Sequence, residues 1–224
     1  MPGDTDNATH YREKYLHVKA KAVERARARG ETGTRLAVPR EQRLPPGQYL
    51  TQKFPVLDLG VQPAHDPERF RLVIDGAVKN PVRLSLDDLR GLPSINLTAD
   101  FHCVTHWSRY DLRWTGVPFE SLVDLVEPAP NAAHVMQYGA DGYSTNNPLS
   151  ELMHPEVLVA YALDGRPIPR EHGAPIRIIV PHLYAWKGSK FLNRIEFLAA
   201  DRRGFWEVRG YHNHGDPWTE ERFA

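Results

Sequence analysis

The chain has 224 residues, enough to bury a substantial core in one domain carrying an appended arm. Its 28 Lys and Arg balance 28 Asp and Glu, which excludes a global electrostatic bias toward nucleic acid or a membrane surface. No apolar run reaches bilayer length, the N-terminus lacks the apolar core of a secretory or twin-arginine signal, and one cysteine agrees with a reducing compartment, so a cytoplasmic protein is expected.

In chain order, residues from about Thr9 to Ala28 are rich in Ala, Lys, Arg and Glu, and Gly30 follows as a stop, so a helix is predicted. Between Tyr11 and Arg43 ten Lys and Arg face four Glu, which reads as a solvated basic helix packed along the outside. A Pro/Gly/Gln-rich connector from Pro39 to Gly47 divides this arm, residues 1–47, from the main domain, 48–224. Phe70 to Val78 reads as two short strands about a turn at Asp75-Gly76, and Ser85 to Leu89 as the capped start of a short helix. Ile95 to Cys103 is expected to be extended, Phe119 to Val126 helical and His134 to Tyr138 extended. Leu149 to Met153 and Pro155 to Ala162 read as short helical or irregular pieces. Ile176 to Val180 is a β-branched buried strand closed by Pro181. Short strands, short helices and 19 prolines argue for a mixed α+β domain.

Three clusters suit chemistry. The first surrounds the lone Cys103, in Phe101-His102-Cys103-Val104-Thr105-His106-Trp107, with Arg109 and Tyr110 behind. A single thiol closes no internal disulfide and is open to three readings: core packing, nucleophile or soft-metal ligand. The second is the polar turn Gly139 to Pro148, which presents Tyr143, Asn146 and Asn147. Its bland reading is an ordinary loop. The third joins His172, Gly173 and Arg177 to Trp186-Lys187-Gly188-Ser189-Lys190, where cations flank a buried strand and glycines let backbone amides approach, as a phosphorylated cofactor requires. No phosphate-binding glycine fingerprint and no internal repeat is present.

In this order the clusters resemble the molybdopterin-binding catalytic domain of the sulfite oxidase family, from about Phe70 to Phe197. The resemblance rests on Ile74-Asp75-Gly76, Phe101-His102-Cys103 leading to Trp114-Thr115-Gly116-Val117, Tyr143 ahead of Pro148, and the stretch from Leu158 through Arg166-Pro167-Ile168-Pro169 and His172 to Val180-Pro181 and Lys187 to Phe191. It implies a sulfite-oxidase-type α+β domain around one molybdenum and a single molybdopterin. Carried over, Cys103 is the protein thiolate ligand of the metal and Tyr143 the active-site tyrosine. His172, Arg177, Lys187, Ser189 and Lys190 hold the pterin and its phosphate, with His102 and Thr105 beside the ligand. Arg109 stands one place later than the arginine that follows the ligand in sulfite-oxidising members.

Only a short tail follows Phe197, with no room for the β-sandwich dimerisation domain or a haem domain of larger members. A monomer, or a dimer made differently, passing electrons to a separate acceptor, such as a cytochrome, is therefore expected. The implied reaction is two-electron oxygen-atom transfer on a small oxyanion, with sulfite as first choice. The alternative is reduction of an S-oxide or N-oxide. From other classes come a cysteine hydrolase pairing Cys103 with His102 or His106, and a cofactor carrier with no turnover of its own. In the tail, His212 and His214 suggest a metal pair, a lid over the pocket with His212 or Arg209 reaching inward, or, with Trp206, Tyr211 and Trp218, plain packing.

Overall fold

The computed structural model describes residues 17, 18, 20, 21, 24, 25 and 42–224. Most of the predicted helix from Thr9 to Ala28, and the connector as far as residue 41, lie outside the described residues. The six described positions of the arm are helical, with Val18 buried in the core and Arg25 Nη1 2.6 Å from Asp124 Oδ2.

Two sheets carry the domain. The first is centred on β5 (Trp107–Pro118), which pairs with β4 (Ile95–His102) antiparallel and with the short β1 (Tyr49–Leu50) parallel. The second half of β5 pairs with β8 (Leu158–Leu163), which in turn pairs with β9 (Arg166–Pro167) and β10 (Arg177–Ile179). Gly116 is required at the β5–β8 contact, because a Cβ there would stand 2.4 Å from the Val159 carbonyl oxygen. The second sheet runs β3 (Val82–Leu84), β2 (Leu72–Gly76), β11 (Leu192–Leu198), β6 (His134–Gly139), β7 (Ser144–Pro148), with only the β2–β11 pair parallel.

Helices are short. In α1 (Leu86–Gly91) Ser85 and Asp88 form a reciprocal capping box, which satisfies two of the helix's free amides. Helix α2 (Phe119–Val126) follows β5 directly and buries Phe119, Leu122, Leu125 and Val126, and α3 (Leu149–Leu152) is a single turn. These helices meet Leu72, Ile74, Val117, Ile178, Ile195 and Phe197 in the main core. A second cluster, with Leu97, Leu112, Trp114, Leu158 and Ile179, lies at the first sheet. Each fully buried side chain of this size contributes about 1.5–3 kcal/mol. Among the described residues no helix is long and apolar enough to cross a membrane.

Four expectations are corrected. Residues 158–162, expected within a helical or irregular piece from Pro155 to Ala162, belong to the central strand β8. The run is apolar throughout because its two faces meet different clusters, Val159 and Tyr161 the main core and Leu158, Ala160 and Leu163 the second, which erases the alternation that marks a strand. Phe70 to Val78 holds one strand rather than two, and its partner β3 comes after Pro81. The polar turn expected over 139–148 ends at Tyr143. Its second half is β7, in which Thr145, Asn146 and Asn147 are buried. Strands β5 and β11 were not expected as strands.

Candidate active site

The loop from Cys103 to His106 joins β4 to β5, and its geometry follows from the hairpin it closes. Cys103 N–H donates to Trp107 O at 2.9 Å, and His106 takes up the left-handed backbone (φ +69°) that turns the chain back. Partners from distant segments fix the loop: Gln48 Nε2 donates to Cys103 O at 3.0 Å, and Arg222 Nη1 donates to Val104 O at 2.7 Å. The buried thiol lies 3.2 Å from Thr105 Oγ1, and burial pushes its pKa up.

Neither neighbouring histidine meets the thiol. His102 Nδ1 lies 2.9 Å from Ser108 Oγ and its ring sets an edge against Trp218, while His106 Nδ1 lies 2.9 Å from Gly47 O. The expected hydrolase pairing of Cys103 with His102 or His106 therefore does not form. A thiol held up in pKa by burial is a poor nucleophile until a cation or metal draws off its proton.

Cys103 and Thr105 line a cavity of about 220 Å³ together with Tyr143, His172, Arg177 and Lys190. Each arrives from a different element. The turn between β6 and β7 brings Tyr143, whose amide donates to Asp141 Oδ1 at 3.1 Å and whose hydroxyl donates to Trp186 O. Burial, with Glu207 nearby, raises the Tyr143 pKa well above the ordinary phenol range, so this hydroxyl keeps its proton. A short 3₁₀ turn ending at Gly173 (φ +106°) brings His172, whose ring stacks on Phe54 with centroids 4.0 Å apart. Burial and the Arg177 charge lower the His172 pKa to about 4, which leaves a neutral imidazole.

Strand β10 sets Arg177 into the wall almost fully buried. Its Nη1 donates to His172 O at 3.0 Å and its guanidinium lies over the rings of Phe101 and Trp114, but Nε has no partner and no carboxylate pairs with it among the described residues. Burial lowers its pKa to about 10, and burial with the Arg177 charge lowers that of Lys190 to about 8. A buried cation with an unpartnered N–H, facing a cavity, is set for an anion. Soft sulfur, cationic donors and an aromatic wall in one cavity fit a cofactor that joins a soft metal to an anionic organic group.

Four expected site residues lie outside the lining. Arg109 sits over the Phe54 ring, 5.2 Å from its centroid. Lys187 is wholly buried, 2.7 Å from Glu207 Oε1 and donating to Asn213 O at 2.8 Å, so its charge is taken up inside the protein. Ser189 is buried, with its amide donating to Gln137 Oε1 at 2.9 Å. His102 faces Ser108, as above. Residues not singled out as site residues also line the cavity, notably Phe54, Asp58, Asp141 and Trp186. Phe54 and Asp58 precede every motif and left no signal, whereas Trp186 stood inside the third cluster.

From the tail, Trp206 and Tyr211 reach the cavity, while Arg209 and His212 do not line it. His212 and His214 both face Glu221 Oε2, at 3.2 and 2.8 Å, and no group of three or more His, Cys, Asp or Glu among the described residues is arranged for a metal ion. Trp218 packs instead on His102 and donates to Gln42 O.

Residues 59–206 match the oxidoreductase molybdopterin binding domain family. The chain is 40% identical over 183 residues to the uncharacterized oxidoreductase YuiH of Bacillus subtilis, covering 81% of this chain and 92% of that protein. It is 30% identical over 165 residues to the protein-methionine-sulfoxide reductase catalytic subunit MsrP of Ralstonia nicotianae, covering 66% of this chain and 50% of the relative. Human mitochondrial sulfite oxidase is 30% identical over 181 residues, covering 66% of this chain and 33% of the relative. The chain thus spans half or less of the last two proteins. The sulfane dehydrogenase SoxCD of Paracoccus pantotrophus has the same fold over 62% of this chain and 40% of its own, with a TM-score of 0.58 at 21% identity. A match over this much of the chain settles the family: the protein belongs to the oxidoreductase molybdopterin-binding domains, enzymes that work on a molybdenum cofactor.

Proposed function

We propose that this enzyme reduces a small uncharged S-oxide or N-oxide, using two electrons from a separate redox partner. In the net reaction the oxide oxygen leaves as water, consuming two electrons and two protons. The observation that carries this reading is the composition of the cavity around Cys103. Its aromatic side chains suit a neutral substrate, and its cations, the buried Arg177 and the half-buried Lys190, suit the cofactor's anionic group. Arg109, the cation expected beside the substrate, is not among the lining residues.

The molybdenum cofactor, when bound, supplies the two-electron redox chemistry of oxygen-atom transfer. The protein supplies the rest. Cys103 offers a thiolate ligand, held in place by the loop contacts to Gln48 and Arg222. Arg177, Lys190 and neutral His172 bind and orient the anionic group. Tyr143 keeps its proton in a hydrogen bond to Trp186 O, which fixes the phenol in the cavity wall, and the ring walls exclude water.

Sulfite oxidation is the second reading, and the similarity to sulfite oxidase favours it. The test is turnover by cofactor-loaded protein in both directions. Dithionite-reduced viologen should be oxidised on adding dimethyl sulfoxide, methionine sulfoxide or trimethylamine N-oxide. Sulfite-driven reduction of ferricyanide without any oxide-dependent turnover would reverse the order of the two readings.

A further inference from the structure

We propose that the segment from Gly204 to Phe223 is a fixed wall of the active-site cavity that admits only small free substrates, with Tyr211 setting the size limit. The inference rests on the oxide-reduction reading for the identity of the substrate, and on geometry alone for the wall.

The segment lies almost wholly beyond residues 59–206, which the family match covers. It supplies Trp206 and Tyr211 to the lining of the Cys103 cavity. Tyr211 is held on three sides: edge-on to Trp186 at 5.3 Å, tilted on Trp206 at 4.9 Å and edge-on to Phe223 at 5.2 Å. Its hydroxyl has no hydrogen-bond partner among the described residues, and its ring lines the same cavity as Cys103. A phenol hydroxyl without a partner, on the wall of that cavity, is a donor for a substrate oxygen.

The wall is anchored at both ends and in the middle. Phe205 N–H donates to Ser144 O at 2.8 Å, and Glu207 Oε1 accepts from Thr145 Oγ1, Trp186 Nε1 and Lys187 Nζ at 2.7, 3.2 and 2.7 Å. Tyr184 N–H donates to Gly215 O at 2.8 Å, and Gly215 lies so close to Trp186 that a Cβ would stand 2.9 Å from Cζ2. Near the far end, Arg222 grips the Cys103 loop at Val104 O. A segment tied this way is a wall and not a mobile flap. With Trp206 and Tyr211 in place the cavity is about 220 Å³, so the wall narrows the space around Cys103.

The experiment compares wild type, Tyr211→Phe and Tyr211→Ala by two readouts. Steady-state kinetics on cofactor-loaded protein use dimethyl sulfoxide, free methionine sulfoxide and a methionine-sulfoxide peptide. Alkylation of Cys103 in cofactor-free protein uses iodoacetamide and a bulky maleimide. Wild type should favour the smaller oxides. Tyr211→Ala should raise kcat/KM for the peptide by about tenfold or more, the scale at which pocket size discriminates, and should speed maleimide labelling more than iodoacetamide labelling. Tyr211→Phe keeps the ring and should leave size selection and labelling unchanged, while raising KM for the small oxides. Equal labelling rates in wild type and a folded Tyr211→Ala, or efficient peptide turnover by wild type, would overturn the wall. If no oxide turns over in any variant, the functional reading fails and the labelling ratio alone decides the wall.

Discussion

Lys187 Nζ lies 2.7 Å from Glu207 Oε1 with both side chains wholly buried. This pair joins the turn after β10 to the C-terminal segment, and it explains a lysine that the sequence pattern suggested for the cofactor. Burial lowers the Lys187 pKa and the Glu207 charge opposes that shift, so the ammonium depends on its carboxylate. Glu207→Gln should therefore cost about 3–5 kcal/mol in unfolding free energy, the price of stranding a buried charge. The double replacement Lys187→Met with Glu207→Leu should recover only part of that loss, because Thr145 Oγ1 and Trp186 Nε1 also lose their acceptor. Urea unfolding of wild type and the two variants measures both.

Cys103→Ser should abolish cofactor-dependent turnover and leave the fold intact, at a stability cost of about 1 kcal/mol. The thiol touches Thr105 and packs in the loop, which a hydroxyl can also do, but serine offers no soft sulfur to a metal. Activity assays beside circular dichroism separate the two effects. Retained full activity in the variant would remove Cys103 from the ligand role.

Arg177 offers opposite effects on stability and on binding. It is a buried cation without a carboxylate partner among the described residues, so Arg177→Met should stabilise the cofactor-free protein by about 1 kcal/mol. The same change should weaken cofactor retention about tenfold, as expected for losing charged hydrogen bonds to an anion. Unfolding of the apoprotein and pterin content per chain, read by oxidative fluorescence, test the two signs independently.

His172 should make stability depend on acid. Its folded-state pKa is lowered from 6.5 to about 4, so between these values the unfolded chain takes up a proton that the folded chain refuses. Stability from this group is complete above about pH 6.5 and is lost as pH falls toward 4. His172→Gln should flatten the fall in urea midpoint over that window. Part of the slope should persist, because burial also lowers the His182 pKa.

The elements legible in the sequence were those with a local cause. The Ser85–Asp88 capping box, α2 over Phe119 to Val126 and the β-branched strand at 177–179 all fell where their residues put them. Strand β8 was missed because Leu158 to Leu163 carries no alternation once both faces are covered. The tail resisted for a different reason. Trp206 and Tyr211 look the same in sequence whether they pack or line a cavity, and only long-range anchors such as Arg222 on Val104 O decide between the two.

By itself the sequence determined the family and the chemical inventory: one thiol, a run of cations about a buried strand, and a tyrosine after a glycine turn. These follow from residue identity and order, which the chain states directly. Which members of that inventory share a cavity was decided by tertiary structure. Arg177 and Lys190 face the cavity, whereas Lys187, three residues before Lys190, is turned into a buried pair with Glu207 and Arg109 rests on Phe54. The physical reason is that a cation's partner is chosen by packing across elements far apart in the chain, and the cost of leaving a charge unpaired in the interior allows each lysine or arginine little choice once the sheets are in register.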